Sequence, residues 1–194
     1  MTERRKQDSE WWVKFFHFLP LLFLCHCAQT PPAPERTLVP GTFYKAENAS
    51  TDLSKASVPV LRSSALERRW GQPKVRVLAD GSYQLYYTKP NDEFESLSVF
   101  GSPEVFPTPA QPPAYQESYG PRMIQPTWLG THSISGTPIR YAQSSDLSGA
   151  DPIEYATETI RLTSPSGRTG SYRIIASSNL EETAAPAYIK TVKW

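Results

Sequence analysis

The chain has 194 residues with 20 Lys and Arg against 19 Asp and Glu, and its formal net charge of +1 falls to zero without residues 1–28. We expect no nucleic-acid partner, because such proteins usually carry a basic stripe, and the later residues show no polybasic patch for an acidic membrane. Its only cysteines are Cys25 and Cys27, which excludes a disulfide framework, a CxxC redox site or a thiolate metal site beyond them.

Residues 1–28 have the layout of an export signal. Three basic residues at positions 4–6 form a basic head, and a dense apolar run follows from Trp11 to Leu24. A comfortable membrane span needs about 20 apolar residues, and this run is shorter. The pattern therefore predicts a secretory signal peptide.

The end of this segment resembles that of bacterial lipoproteins, in which a cysteine at the signal boundary is acylated. Cys25 and Cys27 follow the apolar run, and residues 29–58 begin with a proline-rich stretch that favours an extended tether. The resemblance implies a lipid anchor on one of these cysteines and a place in the cell envelope, in the periplasm or at the outer membrane. Two alternatives stay open: ordinary cleavage before Ala28, which would give a secreted protein, and a retained apolar anchor.

The stretch from Pro59 to Gly101 has the strongest local signals. Good helix formers predict a short helix from Pro59 to Trp70, which Gly71 and Pro73 would end. A β-hairpin follows. A three-residue loop at 79–81 would pair Val77 with Tyr83, and it would place one set of apolar residues on one face: Val75, Val77, Tyr83, Leu85 and Tyr87.

A third strand, Glu95 to Phe100, would complete a meander. This order of a helix, a Gly-x-Pro turn and a small antiparallel sheet resembles small outer-membrane lipoproteins of the SmpA/OmlA type over residues 59–101. The resemblance implies an envelope scaffold without catalysis.

Prolines divide the remaining chain. Seven of them between residues 103 and 126 exclude regular helix or central strand, and they predict an extended segment that crosses the surface of the domain. The aromatic residues within this segment indicate that it packs against the folded domain and is not a free linker.

The C-terminal part has β character. Ile139 to Ala142 is a candidate strand, and a longer hairpin is predicted from residues 154–163 and 171–177, with Leu162 opposite Tyr172 and Arg161 opposite Arg173. A last strand is predicted from Ala187 to Trp194. Residues 59–194 are therefore expected to form a single mostly β (α+β) domain, with a short helix, antiparallel hairpins and a meander; a small sandwich is the alternative arrangement.

Few residues favour catalysis. His132, the only histidine after residue 28, could act as a base for Ser133 or Ser135, but no G-x-S-x-G elbow surrounds it, and a loop histidine is the simpler interpretation. The carboxylates are scattered without the spacing of a calcium loop. We expect no catalytic residue, metal or cofactor.

Two groups are candidates for binding. Tyr115, Tyr119 and Trp128 are candidates for an aromatic contact surface, although most rings of a β domain serve its core. Arg161, Arg168 and Arg173 are candidates for an anion site for a lipid phosphate or an acidic glycan, since guanidinium groups bind such oxygens in pairs. The simpler alternative is that the side chains of these arginines point into water or pair with carboxylates.

The sequence thus favours a non-catalytic, exported envelope protein that is held by a lipid anchor and acts through protein contacts. The alternative is a glycan-binding module or a cell-wall hydrolase that uses carboxylates. An exposed row of rings or a cleft with converging acids would favour that alternative, and an apolar patch would favour protein contacts.

Overall fold

The computed structural model describes residues 48–106, 109–116, 120–145, 153–178 and 184–194. Within them the chain forms one large antiparallel sheet, one small hairpin and a few short helices, which confirms the predicted mostly β fold class. The signal segment and most of the predicted tether lie outside the described residues.

The elements are short and follow one another closely. The helices are α1 (Ser64–Trp70), α2 (Ala184–Ile189) and a 3-10 turn (Leu53–Lys55). The strands are β1 (Lys74–Val77), β2 (Tyr83–Lys89), β3 (Asp92–Ser102), β4 (Tyr115–Gln116), β5 (Met123–Ile124), β6 (Gly130–Ile134), β7 (Thr137–Ser145), β8 (Ile153–Thr157), β9 (Ile160–Thr163) and β10 (Thr169–Ser178).

The large sheet has the order β1-β2-β3-β10-β8-β7-β6, and β9 also pairs with β10. Because β3 occupies one side of β10, β8 and β9 lie end to end along its other side. Only Glu158 and Thr159 separate these two strands. The sheet therefore has a local break beside β7, which is filled by a side chain described below.

The β1–β2 hairpin has the predicted register. Val77 lies opposite Tyr83, and the carbonyl of Leu78 accepts a hydrogen bond of 3.0 Å from the amide of Gly81. Gly81 has φ +80°, the left-handed conformation that glycine adopts at little cost. The third strand is also confirmed, and at Asp92–Ser102 it is longer than predicted.

The main hydrophobic core lies on one face of the large sheet, where both helices cover it. Its largest fully buried side chains include three tyrosines, Tyr83, Tyr87 and Tyr172. The opposite face carries a smaller cluster of Phe100, Ala156 and Ile175, against which Leu78 and Phe106 pack. Helices therefore form the second layer, and the described residues do not form the second sheet of a sandwich.

Helix α1 begins later than predicted. Ser63 caps it by accepting a hydrogen bond from the amide of Leu66 at 3.2 Å, and the helix starts at Ser64 instead of Pro59. The residues before the cap are extended because their backbone bonds to tyrosine hydroxyls and to Lys193. Gly71, with φ +95°, ends the helix as expected.

The last described part of the predicted tether packs on the body of the domain. Ser50 pairs with Val77 at the edge of β1, and the side chain of Val58 is buried. The carboxylate of Asp52 caps the 3-10 turn by accepting from the amide of Ser54. The folded part therefore begins before Pro59.

The predicted register of the β9–β10 hairpin was wrong by two residues. Leu162 lies opposite Gly170 rather than Tyr172, and Tyr172 lies opposite Ile160. The amide of Gly167, at φ +81°, donates to Ser164 and closes a three-residue loop. This turn fixes the register, and a shift of two residues leaves the same side chains on the apolar face.

The predicted C-terminal strand was also wrong, because most of that segment is helix α2 and its continuation. The apolar residues Ala185, Tyr188, Ile189 and Val192 are buried, and they follow the i, i+3, i+4, i+7 spacing of a helix face. Pro186 stands in the first helical turn, where no amide is needed. Only Lys193 makes a bridge, to Arg62.

Candidate functional site

The proline-rich segment contains the best-defined part of the predicted aromatic surface. Trp128 lies just before β6, and its indole nitrogen donates to the carbonyl of Ala110 at 3.1 Å. The amide nitrogen of Gln125 donates to the carbonyl of Pro112 at 2.7 Å. These two bonds tie the limbs of the segment together around the β4–β5 hairpin.

A cation held by a buried carboxylate lies over the face of the Trp128 ring. The guanidinium carbon of Arg140 lies 4.8 Å from the ring centroid, within the range of a cation–π contact. The same guanidinium donates to Glu158 at 2.6 and 3.0 Å, and the other oxygen of Glu158 accepts from the Arg140 amide at 2.8 Å. The hydrogen bond to Glu158 raises the pKa of Arg140, so the arginine is held as a cation.

Glu158 occupies the break between β8 and β9. Its side chain is nearly buried, and its carboxylate substitutes for a strand partner of β7. Sequence reasoning missed this role because it depends on the pairing of β7 with β8. The result is a tryptophan and an arginine held in one orientation beside the edge strand β6.

Large apolar side chains are exposed in the same segment. Met123 on β5 is 59% exposed, and Leu129, which follows Trp128, is 58% exposed. Tyr115 is half-buried on β4 and pairs with Ile124, whereas Tyr119 lies outside the described residues. We call Tyr115, Met123, Trp128 and Leu129 the hairpin surface.

The three predicted anion-binding arginines are not brought together as expected. Arg161 lies opposite Ser171, and Arg173 lies opposite Phe100, so the predicted Arg161–Arg173 pair was wrong. Both occupy the same face of the sheet, because paired residues and alternate positions share a face. Arg168 instead donates to the carbonyl of Ser57 at 2.5 Å.

The two arginines on the sheet also differ in their surroundings. Burial lowers the pKa of Arg173, and the charge of Glu154 acts in the opposite direction. Arg161 is exposed. An anion held jointly by Arg161, Arg168 and Arg173 therefore has no preformed cradle in the described residues.

A network of tyrosine hydroxyls in the core was not foreseen. Tyr83 accepts from the amide of Leu61 at 2.8 Å, Tyr87 accepts from the amide of Ser63 at 3.1 Å, and Tyr172 donates to the carbonyl of Pro59 at 2.9 Å. Burial raises the pKa of each of these tyrosines, that of Tyr87 to about 12. Their role is structural, since they fix the extended chain that leads into α1.

A second buried network docks α2. Glu95, only 2% exposed, accepts hydrogen bonds from Tyr188 and, at 2.9 Å, from Ser178. The ring of Tyr188 packs edge-on against Trp70 with centroids 4.8 Å apart. Burial and the bond to Glu95 raise the pKa of Tyr188. This carboxylate links β3, β10 and α2.

His132 has a structural partner rather than a serine. It lies on β6, and its Nε2 is 3.0 Å from the carbonyl of Val192, which can only accept a hydrogen bond. The ring therefore ties the C-terminal segment to the edge of the sheet. Across the described ranges, no group of three or more His, Cys, Asp or Glu residues lies close enough together to hold a metal ion.

Cys25 and Cys27, the candidate acylation sites, lie outside the described residues. In the part of the chain that the structure covers, no helix has the length and apolar character needed to cross a membrane. Comparisons of the chain with protein-family models, with curated proteins and with solved structures found no match.

Proposed function

We propose that this chain is a non-catalytic protein of a bacterial cell envelope, anchored by an acyl group on Cys25 or Cys27, and that it binds a partner protein through the hairpin surface. The observation that carries the proposal is the combination of exposed Met123 and Leu129 with a fixed Trp128. Aromatic residues, methionine and arginine are enriched at protein interfaces. Rings and guanidinium groups that are already oriented lose less freedom when they bind.

Two buried carboxylates already have hydrogen-bond partners within the domain, and this supports a role without catalysis. Glu95 and Glu158 are nearly buried and bond to side chains or backbone of their own domain. A glycosidase would need two carboxylates that face one sugar bond. The glycan-binding alternative would need an exposed row of rings, whereas Trp128 is partly buried beside Arg140.

The anchor is tested by fractionation. Replacing both Cys25 and Cys27 with serine should release the protein from membranes that are separated without detergent, because serine cannot form the acyl thioether. Each single substitution identifies the modified cysteine. If the double variant is as membrane-bound as the parent, a retained apolar anchor replaces the acyl group in the proposal.

The binding surface is tested by photo-crosslinking in cells. A photoreactive amino acid at Leu129 should give an adduct of one discrete mass, since this side chain is 58% exposed within the hairpin surface. The matched control carries the same amino acid at Ser166, which is exposed in the β9–β10 loop. Equal adducts from both positions, or none from Leu129, would contradict the proposal.

A further inference from the structure

Helix α1 and the C-terminal segment lie next to each other on the core side of the sheet, where the rings of Trp70 and Tyr188 pack with centroids 4.8 Å apart. The amide of Arg62 donates to the carbonyl of Lys193 at 2.9 Å, and the reverse bond is 3.0 Å. The hydroxyl oxygens of Ser63 and Thr191 lie 2.6 Å apart. The two residues just before α1 are thereby placed beside the residues that follow α2.

Four cations are exposed on these two elements: Arg68, Arg69, Lys190 and Lys193. We call them the basic face. None of them forms an ion pair with a carboxylate in the described part of the chain. Neighbouring acids have other partners: Glu67 bonds to Arg62 at 2.8 Å, and Asp92 bonds to Lys89 at 3.2 Å.

Helix dipoles explain only part of this arrangement. Arg68 and Arg69 lie in the last turn of α1, and Lys190 directly follows α2, positions where a helix favours cations. Lys193 lies beyond both helices. The four positions come from distant parts of the sequence and form no polybasic run. The sequence therefore did not predict the basic face.

We propose that the basic face docks on an anionic phospholipid surface. The argument is charge complementarity: four exposed cations face solvent on elements that bring no free carboxylate among the described residues. The inference rests on the proposed function, in which an acyl anchor keeps the domain close to a bilayer. Positive side chains near an anionic leaflet are attracted to its surface potential within about one Debye length.

The proposal predicts the size of the effect. Each Lys or Arg near an anionic bilayer strengthens binding by about fivefold, so the loss of two of them should weaken binding by about 25-fold. The preference for anionic vesicles should also disappear near 1 M salt, where the Debye length is only about 3 Å.

The test uses the full chain and co-sedimentation with vesicles of phosphatidylcholine, alone or mixed with phosphatidylglycerol. Arg68→Gln with Arg69→Gln, and separately Lys190→Gln with Lys193→Gln, should each reduce the preference for the mixed vesicles. The control, Arg122→Gln with Arg161→Gln, removes the same charge from two other exposed positions and should retain the parent's preference. Circular dichroism verifies that every variant is folded.

An equal loss in the control would overturn the proposal, because it would show an effect of net charge alone. Binding to poly-glutamate without any preference for phosphatidylglycerol would assign the basic face to an acidic protein and also overturn it. The proposed anchor fails differently. A chain without an acyl group would lose its binding to phosphatidylcholine, while the preference for phosphatidylglycerol and its dependence on the basic face would persist.

Discussion

The hydroxyl of Tyr188 helps to hold helix α2 against the sheet. It donates to Glu95, a nearly buried carboxylate that also accepts a hydrogen bond from Ser178. A hydrogen bond to a charged group contributes about 1.5–3 kcal/mol, and a buried carboxylate that loses a donor is left partly unsatisfied. The network therefore couples the C-terminal helix to the middle of the sheet.

Tyr188→Phe should lower the free energy of unfolding by about 1–3 kcal/mol in urea titrations, because the ring stays and only the donor is lost. Tyr141→Phe is the matched control. Tyr141 is also nearly buried, but its hydroxyl bonds to none of the described residues. A loss for Tyr188→Phe no larger than that of the control would show that Glu95 does not need this donor.

The buried tyrosines predict an alkaline transition. The pKa of Tyr87 rises from 10.0 to about 12, and burial raises that of Tyr83, Tyr172 and Tyr188 in the same direction. The unfolded chain loses these protons first, so stability is full below pH 10 and falls as the pH rises toward 12. Each such tyrosine adds to this fall, because the folded chain keeps a proton that the unfolded chain has already released.

We expect the ultraviolet absorbance of tyrosinate to rise in two phases as the pH is raised. Exposed tyrosines titrate first, and the buried ones ionise together with the loss of far-ultraviolet circular dichroism. A single gradual titration with unchanged circular dichroism through the whole alkaline range would contradict the burial of these hydroxyls.

Among the elements of the fold, two tight turns have the same backbone geometry but differ in their surroundings. Gly81 and Gly167 each close a three-residue loop at φ +80° and +81°. A Cβ added at Gly81 would lie 2.5 Å from the Cβ of Ser57, whereas a Cβ at Gly167 would meet nothing within 4 Å. The first turn is packed against the chain before α1, and the second projects into solvent.

Gly167→Ala should therefore cost about 1–2 kcal/mol of unfolding free energy, the strain of a left-handed alanine. Gly81→Ala should cost clearly more, because the new methyl group also displaces Ser57. Urea unfolding of the two variants compares them directly. Equal costs would indicate that the segment before α1 moves aside without loss.

These elements also show why some registers can be predicted from sequence and others cannot. In β1–β2 the turn signal and the alternation of apolar residues agree on one register, and that register is confirmed. In β9–β10 two registers differ by two residues and expose the same faces, so only the turn at Gly167 decides between them. The pattern alone could not have separated them.

Helix α2 and the sites show a second limit. Ala185, Tyr188 and Val192 fit one face of a helix, but Tyr188, Val192 and Trp194 also fit one side of a strand. The roles of Glu95 and Glu158 depend on contacts between distant strands, which local patterns do not contain. Trp128, in contrast, could be selected as a candidate because a ring in a proline-rich crossing segment has few partners in its own neighbourhood.

At the scale of the whole molecule, one core joins α1, the sheet and α2. Trp70, Leu97 and Ile189 belong to the same buried cluster, although each comes from a different element. Domains of this size with a continuous core usually unfold in a single step. The extended chain before α1 is part of that step because three tyrosine hydroxyls bind it.

Hydrogen exchange read by mass spectrometry should therefore show peptides from α1, β3 and α2 losing protection together as urea is raised. The exposed loop at Ser166 serves as the control and should exchange early. Loss of protection in α2 at clearly lower urea than in β3 would show that the C-terminal segment is a separate unit.

The proposal that the chain works at a membrane depends most directly on its mature N-terminus. Intact mass spectrometry of the protein from native membranes measures it. We predict a chain that begins at Cys25 or Cys27 and carries the added mass of a diacylglyceryl group. An unmodified chain that begins at Ala28, or one that retains residues 1–28, would contradict the acyl anchor.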